Sequence, residues 1–444
     1  MRKEVRTRRA HVGDQRHVLR HRSMRILAVS HAYPRRGATS HGVFVHRLHQ
    51  GLVAQGHHVE VLQRGDWGPP WPFSQLHASW RESRRERAAF LDEVDGIRLH
   101  HPLTVRPRPS RFFASDSWEI EARTAQRFAR GQTRSGAFDA VLAHFLVPDG
   151  YHALAVGETL GIPVVAMAWG DDVHAWPTSR PDWAEKLRHV LQSADAVVAC
   201  SERMANDANE WIPVPRGDWH VVYGGVDFRD EAACPEKPSA RQSVLPADVA
   251  RHIPDDANIA LVLAQPCVAK GYVELLDAWS RLEAAFPDWF LLMAGGLGGD
   301  LDIRAELTTR GLVRTFWLGP QAPDRIPTLL AACDAFVLPS HNEGLSLSVL
   351  EAMASGLPTI TTDVGGHAEV ITDSAEGWLI PAKDTTALLD ALRQLMSDKT
   401  ERQRRGMNGK SAARRIGTPA ENAARLLRVL EAAVHRSHRT QTAH

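Results

Sequence analysis

Long hydrophobic runs are what this 444-residue sequence most clearly lacks. No stretch of about 18 uninterrupted apolar residues is present, so no segment reads as a membrane-spanning helix. Cysteine is scarce as well. Cys200, Cys234, Cys267 and Cys333 lie 34, 33 and 66 residues apart, without a CxxC pair to hold zinc or run a redox cycle. They read as reduced thiols of an intracellular protein. A charge of one sign is missing too: 53 Lys and Arg against 52 Asp and Glu leave a net +1, which is no nucleic-acid footprint over the whole chain. With 43% apolar residues, 24% charged residues and a mean hydropathy of -0.28, disorder and collagen are excluded and a globular chain of about two domains remains.

The charge is uneven. Residues 1–23 carry eight Lys or Arg and two acids, a net +6, which leaves the rest of the chain at -5. This head has neither the apolar core of a secretory signal nor an amphipathic period, and it reads as disordered. Met24 directly precedes the apolar run Arg25-Ile26-Leu27-Ala28-Val29, so the head is either a start-site artefact or a basic tail for anionic lipid.

From there, apolar β-branched runs alternate with amphipathic helical stretches, the pattern of parallel sheets covered on both faces. Strands are expected at 26–29, 59–62, 140–143, 164–168, 196–199 and 221–223. The helix between the first two carries Phe44, Leu48 and Leu52 at i, i+4 and i+8. The rhythm fails at 224–257, where Pro235, Pro238, Pro246 and Pro254 stand among charges, and resumes with strands at 259–264, 290–294, 315–318, 335–338 and 359–361. The expected organisation is a head (1–23), a Rossmann-like domain (24–225), a linker (226–257), a second Rossmann-like domain (258–415) and a carboxyl-terminal helix and tail (416–444) that could join either. Two doubly wound α/β domains facing across a cleft place the chemistry in the loops that leave strands.

The most informative such loop is LPSHNEGLSLSVLEAMASGLPTITTDVGGHAEVIT, 338–372. Glu343 and Glu351 are eight residues apart, and Gly344 stands before a helix starting near Ser346. Free N–H groups at a helix start attract an anion such as phosphate, and a carboxylate one turn inside can accept two ribose hydroxyls. On this physics alone, two solvated or dipole-complementing glutamates are the commoner explanation.

The segment resembles the donor-binding motif of the family 4 retaining glycosyltransferases of GT-B fold, Glu-x7-Glu followed by a small-residue helix end and an Asp-Val-Gly-Gly turn. Glu343, Glu351, Ala352, Met353, Ala354, Gly356, Pro358, Thr362, Asp363, Gly365, Gly366 and Glu369 stand in register with it. SHGVFVHRLHQGLVAQGHHVEVL (40–62), HFLVPDG (144–150), AWGDDVH (168–174) and VVYGGVD (221–227) are similar to further family segments, leaving 1–23, 65–135 and 228–257 unmatched.

The resemblance implies transfer of a sugar from a nucleotide diphosphate-sugar to an acceptor hydroxyl of a glycan or lipid-linked molecule, with retention, by a metal-independent hexosyltransferase that needs no cofactor. It implies catalytic roles for His144, Glu343 and Lys270. Donor contacts would come from Gly42, Gln265, Lys270, Gly344, Leu345, Ser346 and Glu351, and Asp172 would position acceptor or sugar. His31, His41 and His46, near the glycine loop, are either acceptor contacts or solvated surface. Asp171-Asp172 also invites a divalent metal, which the family does not generally use.

One departure stands out. LAQPCVAKG keeps Lys270 but has Gln265 where the family commonly has an arginine for the diphosphate. Less positive charge then faces the leaving group, so a catalytically degenerate binding or regulatory protein is the alternative. In 65–135, Trp67, Trp71, Phe73, Phe112 and Phe113 stand near Arg81, Arg84, Arg85, Arg87, Arg106, Arg108 and Arg111. That suits either a membrane surface or polyprenyl-phosphate acceptor, or a solvated basic face on a long ordered loop. The expected setting is the cytoplasm, with a peripheral place at the inner membrane face.

Overall fold

The structure is a computed structural model that describes residues 23–66, 78–104, 117–132, 138–228, 235–296 and 299–442. Within them, eight strands form one sheet in the order Trp219–Val221, Ala196–Ala199, Val164–Ala168, Ala140–His144, Arg25–Val29, His58–Leu62, Ile97–His100, Glu93–Val94. All neighbours pair in parallel except the last two. A six-stranded parallel sheet follows: Thr315–Gly319, Trp289–Ala294, Asn258–Leu263, Ala335–Leu338, Thr359–Thr362, Trp378–Ile380. The central strands are apolar along their whole length because helices cover both faces; every residue of Val164–Ala168 and of Trp289–Ala294 is buried. Two separate cores result.

In each sheet the first strand lies between two later ones, so the chain winds away from it in both directions. Arg25–Val29 sits between His58–Leu62 and Ala140–His144, and Asn258–Leu263 between Trp289–Ala294 and Ala335–Leu338. Loops that leave neighbouring strands at such a switch point diverge and open a crevice.

Three expectations need correction. The strand expected at 221–223 is Trp219–Val221, since beyond it the chain turns toward the second domain. The segment 226–257 is not a plain linker: Lys237–Val244 and Ala247–Ala250 are helices whose Ala240, Val244 and Val249 are buried in the second core. Pro238 stands in the first turn of one and Pro246 caps the other, where a missing N–H costs nothing. Arg241 fastens the segment by donating to the carbonyls of Ala332, Asp255 and Ala257 and to the Asp334 carboxylate. The long ordered loop expected in 65–135 contains the helices Ala78–Ala89 and Ser117–Gln132 and short strands that extend the first sheet. Trp67, Trp71, Phe73, Arg106, Arg108, Arg111, Phe112 and Phe113, like Cys234 and residues 1–22, lie outside the described residues.

The carboxyl-terminal helix, Pro419–Thr442, packs on the first domain, not the second. Ala423, Leu426, Leu430 and Ala433 are fully buried in the first core, beside the helix Val43–Ala54. The chain therefore crosses between domains twice, and the crossings touch where Val226 N–H donates to the Gly417 carbonyl at 3.0 Å. Among the described residues no helix is long and apolar enough to cross a membrane.

Candidate active site

The loops at the two switch points face each other across a cleft of about 630 Å³. Gly42, Gln265, Lys270, Glu343, Gly344, Leu345, Ser346 and Glu351 all line it, so tertiary structure gathers eight residues from three separate stretches of sequence. Gly42 caps the helix Val43–Ala54 with φ 64°, and a Cβ there would lie 2.3 Å from the Ala32 carbonyl oxygen. Only glycine closes this turn and lets the chain pass so near its own first strand loop. Gly344 meets the same limit across the domains, since a Cβ would sit 1.7 Å from the carbonyl oxygen of Trp169.

On the second-domain wall, Lys270 Nζ lies 2.7 Å from Glu343 Oε1, which also accepts from Ser340 Oγ at 2.8 Å. Burial alone would raise the Glu343 carboxyl; the Lys270 ammonium more than offsets this, aided by His367 and Ser340, and holds it below the usual range. Lys270 is reciprocally held above its own ordinary value, because Glu343 overcomes the burial that would lower it. Ser346 caps the helix Leu347–Ala354 by backbone position only; its hydroxyl pairs with Ser348, at 3.1 Å, rather than with the helix's first N–H groups. The first residues of that helix, Leu347 and Ser348, line the cleft together with Leu345 and Ser346. Beneath them the fully buried His367 receives Ser346 N–H at 3.4 Å, and burial lowers its pKa.

Glu351 lies one turn inside that helix, and its partner comes from the other domain. Arg47 Nη1 is 2.9 Å from Glu351 Oε1. Burial raises the Glu351 carboxyl, Arg47 lowers it, and burial prevails. Other contacts also bridge the domains. Glu369 accepts from the N–H groups of Glu202 and Arg203 at the start of the helix Glu202–Asn209, and from the Tyr223 hydroxyl.

Two expected site residues do not reach the cleft. Asp172 is fully buried and spends its two oxygens on the backbone N–H groups of Leu146 (2.7 Å), Trp169 (3.1 Å) and Gly170 (2.8 Å). It braces the loops, and burial pushes its carboxyl up to about 6. The neighbouring Asp171 lines the cleft in its place.

His144 is likewise fully buried, behind the indole of Trp169. Trp169 Nε1–H donates to His144 Nδ1 at 3.3 Å, which leaves His144 Nε2–H to donate to His49 Nε2 at 2.9 Å. The chain continues through His49 Nδ1 to the Tyr33 hydroxyl (3.3 Å), on to His46 Nδ1 (2.9 Å), and from His46 Nε2 to the exposed Asp95 carboxylate (2.9 Å). Burial lowers His144 to about 3, so it is neutral, and it reaches the cleft only through the Trp169 ring. His46 is thus part of this buried chain and not a solvated or acceptor residue, because its two nitrogens are spent on Tyr33 and Asp95.

Sequence reasoning missed Arg47 and the aromatic lining, and weighed Asp171 only as half of a metal-binding pair. Arg47 stood in the quoted segment 40–62, but a lone arginine on an amphipathic helix carries no sign of which neighbour it will meet. His31, weighed only loosely, does line the cleft.

The sequence matches two family models that together span most of the chain, "Glycosyltransferase Family 4" over residues 41–230 and "Glycosyl transferases group 1" over residues 247–412. It is 28% identical over 404 residues to a glycogen synthase of Mycobacterium tuberculosis, covering 86% of this chain and 88% of that one. It is 30% identical over 283 residues to the alpha-maltose-1-phosphate synthase of Mycolicibacterium smegmatis, covering 56% of this chain and 68% of the relative. In three dimensions it resembles a sucrose-phosphate synthase from Thermosynechococcus elongatus, with TM-score 0.71, 18% identity, and 92% and 100% of the two chains covered.

Proposed function

The chain belongs to the family 4 glycosyltransferases, group 1 type, of GT-B fold, and from that premise we propose that its cleft binds a nucleotide diphosphate-sugar on the second-domain wall and passes the sugar, with retention, to a hydroxyl of a glycan acceptor. Retention, donor class and residue roles are our reading. The observation that carries it is the meeting of Lys270, Glu343 and the open helix start at Ser346, with Glu351 one turn inside, on one wall of the cleft.

In this reading the diphosphate lies against the first N–H groups of the helix Leu347–Ala354 and against Lys270, while Glu351 accepts the ribose hydroxyls. Glu343 then serves twice. It holds Lys270 charged before the donor arrives and hydrogen-bonds the sugar afterwards. As the bond from the anomeric carbon to the diphosphate oxygen breaks, the acceptor oxygen bonds that carbon from the same face and its proton passes to the departing phosphate oxygen. No protein nucleophile is required, in keeping with the absence of His144 and Asp172 from the cleft surface. Gln265 contributes hydrogen bonding but no charge, so Lys270 and the helix start carry the leaving group.

We also read the reaction as metal-independent and free of cofactors, with Lys270 and the helix start meeting the diphosphate charge that a cation would otherwise meet. One relative is a glycogen synthase by name, which supports a role in building a polysaccharide or glycoconjugate; a cytoplasmic setting is our own reading. The test is a thermal-shift titration against UDP-, GDP-, ADP- and dTDP-sugars, repeated on Glu351→Ala. One nucleotide should raise the melting temperature, and the variant should lose that shift. If all four leave it unchanged at millimolar concentration, the donor reading is wrong.

A further inference from the structure

We propose that the first-domain wall of the cleft is a saccharide subsite: an aromatic cradle, with His31 as its polar anchor, that receives the face of an uncharged pyranose at the acceptor's reactive end. The proposal deepens the donor reading above and rests on it for the identity of the reaction.

Four aromatic side chains that line the cleft touch one another in a row. Trp169 meets Phe44 at 4.5 Å between ring centres, Phe44 meets Phe145 at 6.2 Å, and Phe145 meets Trp176 at 5.8 Å. Aromatic faces carry partial negative charge and attract the weakly positive C–H groups of a pyranose face, while the ring hydroxyls project sideways to polar groups. A phosphate has no such face.

The cradle has its polar partner in place. His31 packs 4.6 Å from Phe145 and 5.5 Å from Trp176. Its Nδ1 lies 2.9 Å from Asp149 Oδ2, and its backbone N–H donates to the same buried carboxylate. With Nδ1–H given to Asp149, Nε2 has no protein partner among the described residues and stands free to hydrogen-bond one sugar hydroxyl.

Backbone strain marks the same spot. Phe145 has φ 76° and ψ 127°, a left-handed setting that a bulky residue rarely adopts. It is held there by its N–H on the Met167 carbonyl at 2.9 Å and by Gly150 N–H on its own carbonyl at 3.0 Å. A surrounding structure that maintains such a conformation at a cleft-lining ring points to a fixed functional position for that ring.

Charge separates a sugar from a lipid phosphate. Among the described first-domain residues lining the cleft, Arg47 and Asp171 are the formal charges, and Arg47 is already paired with Glu351. His41, lowered to about 4 chiefly by burial, adds no cation at neutral pH. A phosphate-bearing acceptor would find a carboxylate and a committed arginine, whereas a neutral pyranose meets no electrostatic penalty.

The test uses the full chain and ligand-observed saturation-transfer NMR with methyl α-D-glucopyranoside, methyl α-D-mannopyranoside and methyl α-D-galactopyranoside, with decyl phosphate as the phosphate-bearing probe. At least one glycoside should receive saturation at its ring C–H groups, and Trp176→Ala should weaken that binding about tenfold while the nucleotide-dependent melting shift persists. His31→Gln, which keeps a hydrogen-bonding group near the same place, should lose less. The proposal falls if a nucleotide still shifts the melting temperature but no glycoside binds, if decyl phosphate binds and displaces the glycoside, or if Trp176→Ala binds as the wild type does. Should no nucleotide act on the wild type while glycoside binding still depends on Trp176, the donor reading fails and the cradle stands.

Discussion

Arg47 of the first domain and Glu351 of the second meet at 2.9 Å across the cleft, each with about a fifth or less of its side chain exposed. The carboxylate proposed to accept the ribose is therefore paired with a residue of the opposite domain. Arg47→Ala leaves the effect of burial on Glu351 unopposed, so the carboxyl rises further and spends more time protonated, when it accepts hydroxyls poorly. The expected result is a donor KM raised about tenfold with kcat little changed. Steady-state kinetics at varied donor concentration reads both.

Lys270→Ala removes the ammonium nearest Glu343, and kcat should fall about 10² to 10³-fold. The pair also predicts a pH effect. Glu343 is depressed below its ordinary 4.5, so the unfolded chain takes up this proton more readily than the folded one. The stability it contributes is present above 4.5 and is lost as pH falls through the folded value. In Glu343→Gln this component of the acid-side fall should vanish, as melting temperature against pH will reveal.

Asp172 behaves in the opposite sense. Its folded pKa of about 6 lies above its ordinary 3.8, so the folded chain binds the proton more tightly and stability from this group declines as pH rises from 3.8 to about 6. Asp172→Asn should lose that dependence. It should also cost roughly 2 to 4 kcal/mol at neutral pH, because an amide places its own N–H groups against backbone donors. Chemical denaturation of both proteins at pH 4 and pH 7 tests the two statements together.

Because His144 titrates near 3, the profile of kcat/KM between pH 5 and 9 should contain no limb that disappears in His144→Gln. His144→Phe, which cannot accept the Trp169 N–H, should lower kcat/KM more than the glutamine variant does.

Leu426, fully buried in the first core although it follows the whole second domain in sequence, should cost about 2 to 5 kcal/mol when changed to alanine. The loss should appear in the first domain's unfolding and not in the nucleotide-dependent shift.

Much of this was legible in the residues. The strand-length apolar runs located eleven strands of the two large sheets to within two residues, since a strand covered on both faces must be apolar throughout, but missed Glu93–Val94, Ile97–His100 and Trp378–Ile380. The donor-side loop was legible too, because helix start, glycine and glutamate lie within one short segment. Prolines misled at 226–257, where a residue that breaks helices inside also begins them.

The sequence by itself determined the two parallel-sheet domains, the place of the proposed donor wall and the family, because each depends on local periodicity or on contiguous motifs. Only the tertiary structure decided that Arg47 faces Glu351, that Asp172 and His144 turn inward, that the last helix returns to the first domain, and that His31, Phe145 and Trp176 share a wall. Those relationships join residues tens to hundreds of positions apart. They are set by how two cores close on each other, and the local pattern around any one residue carries no record of its distant partner.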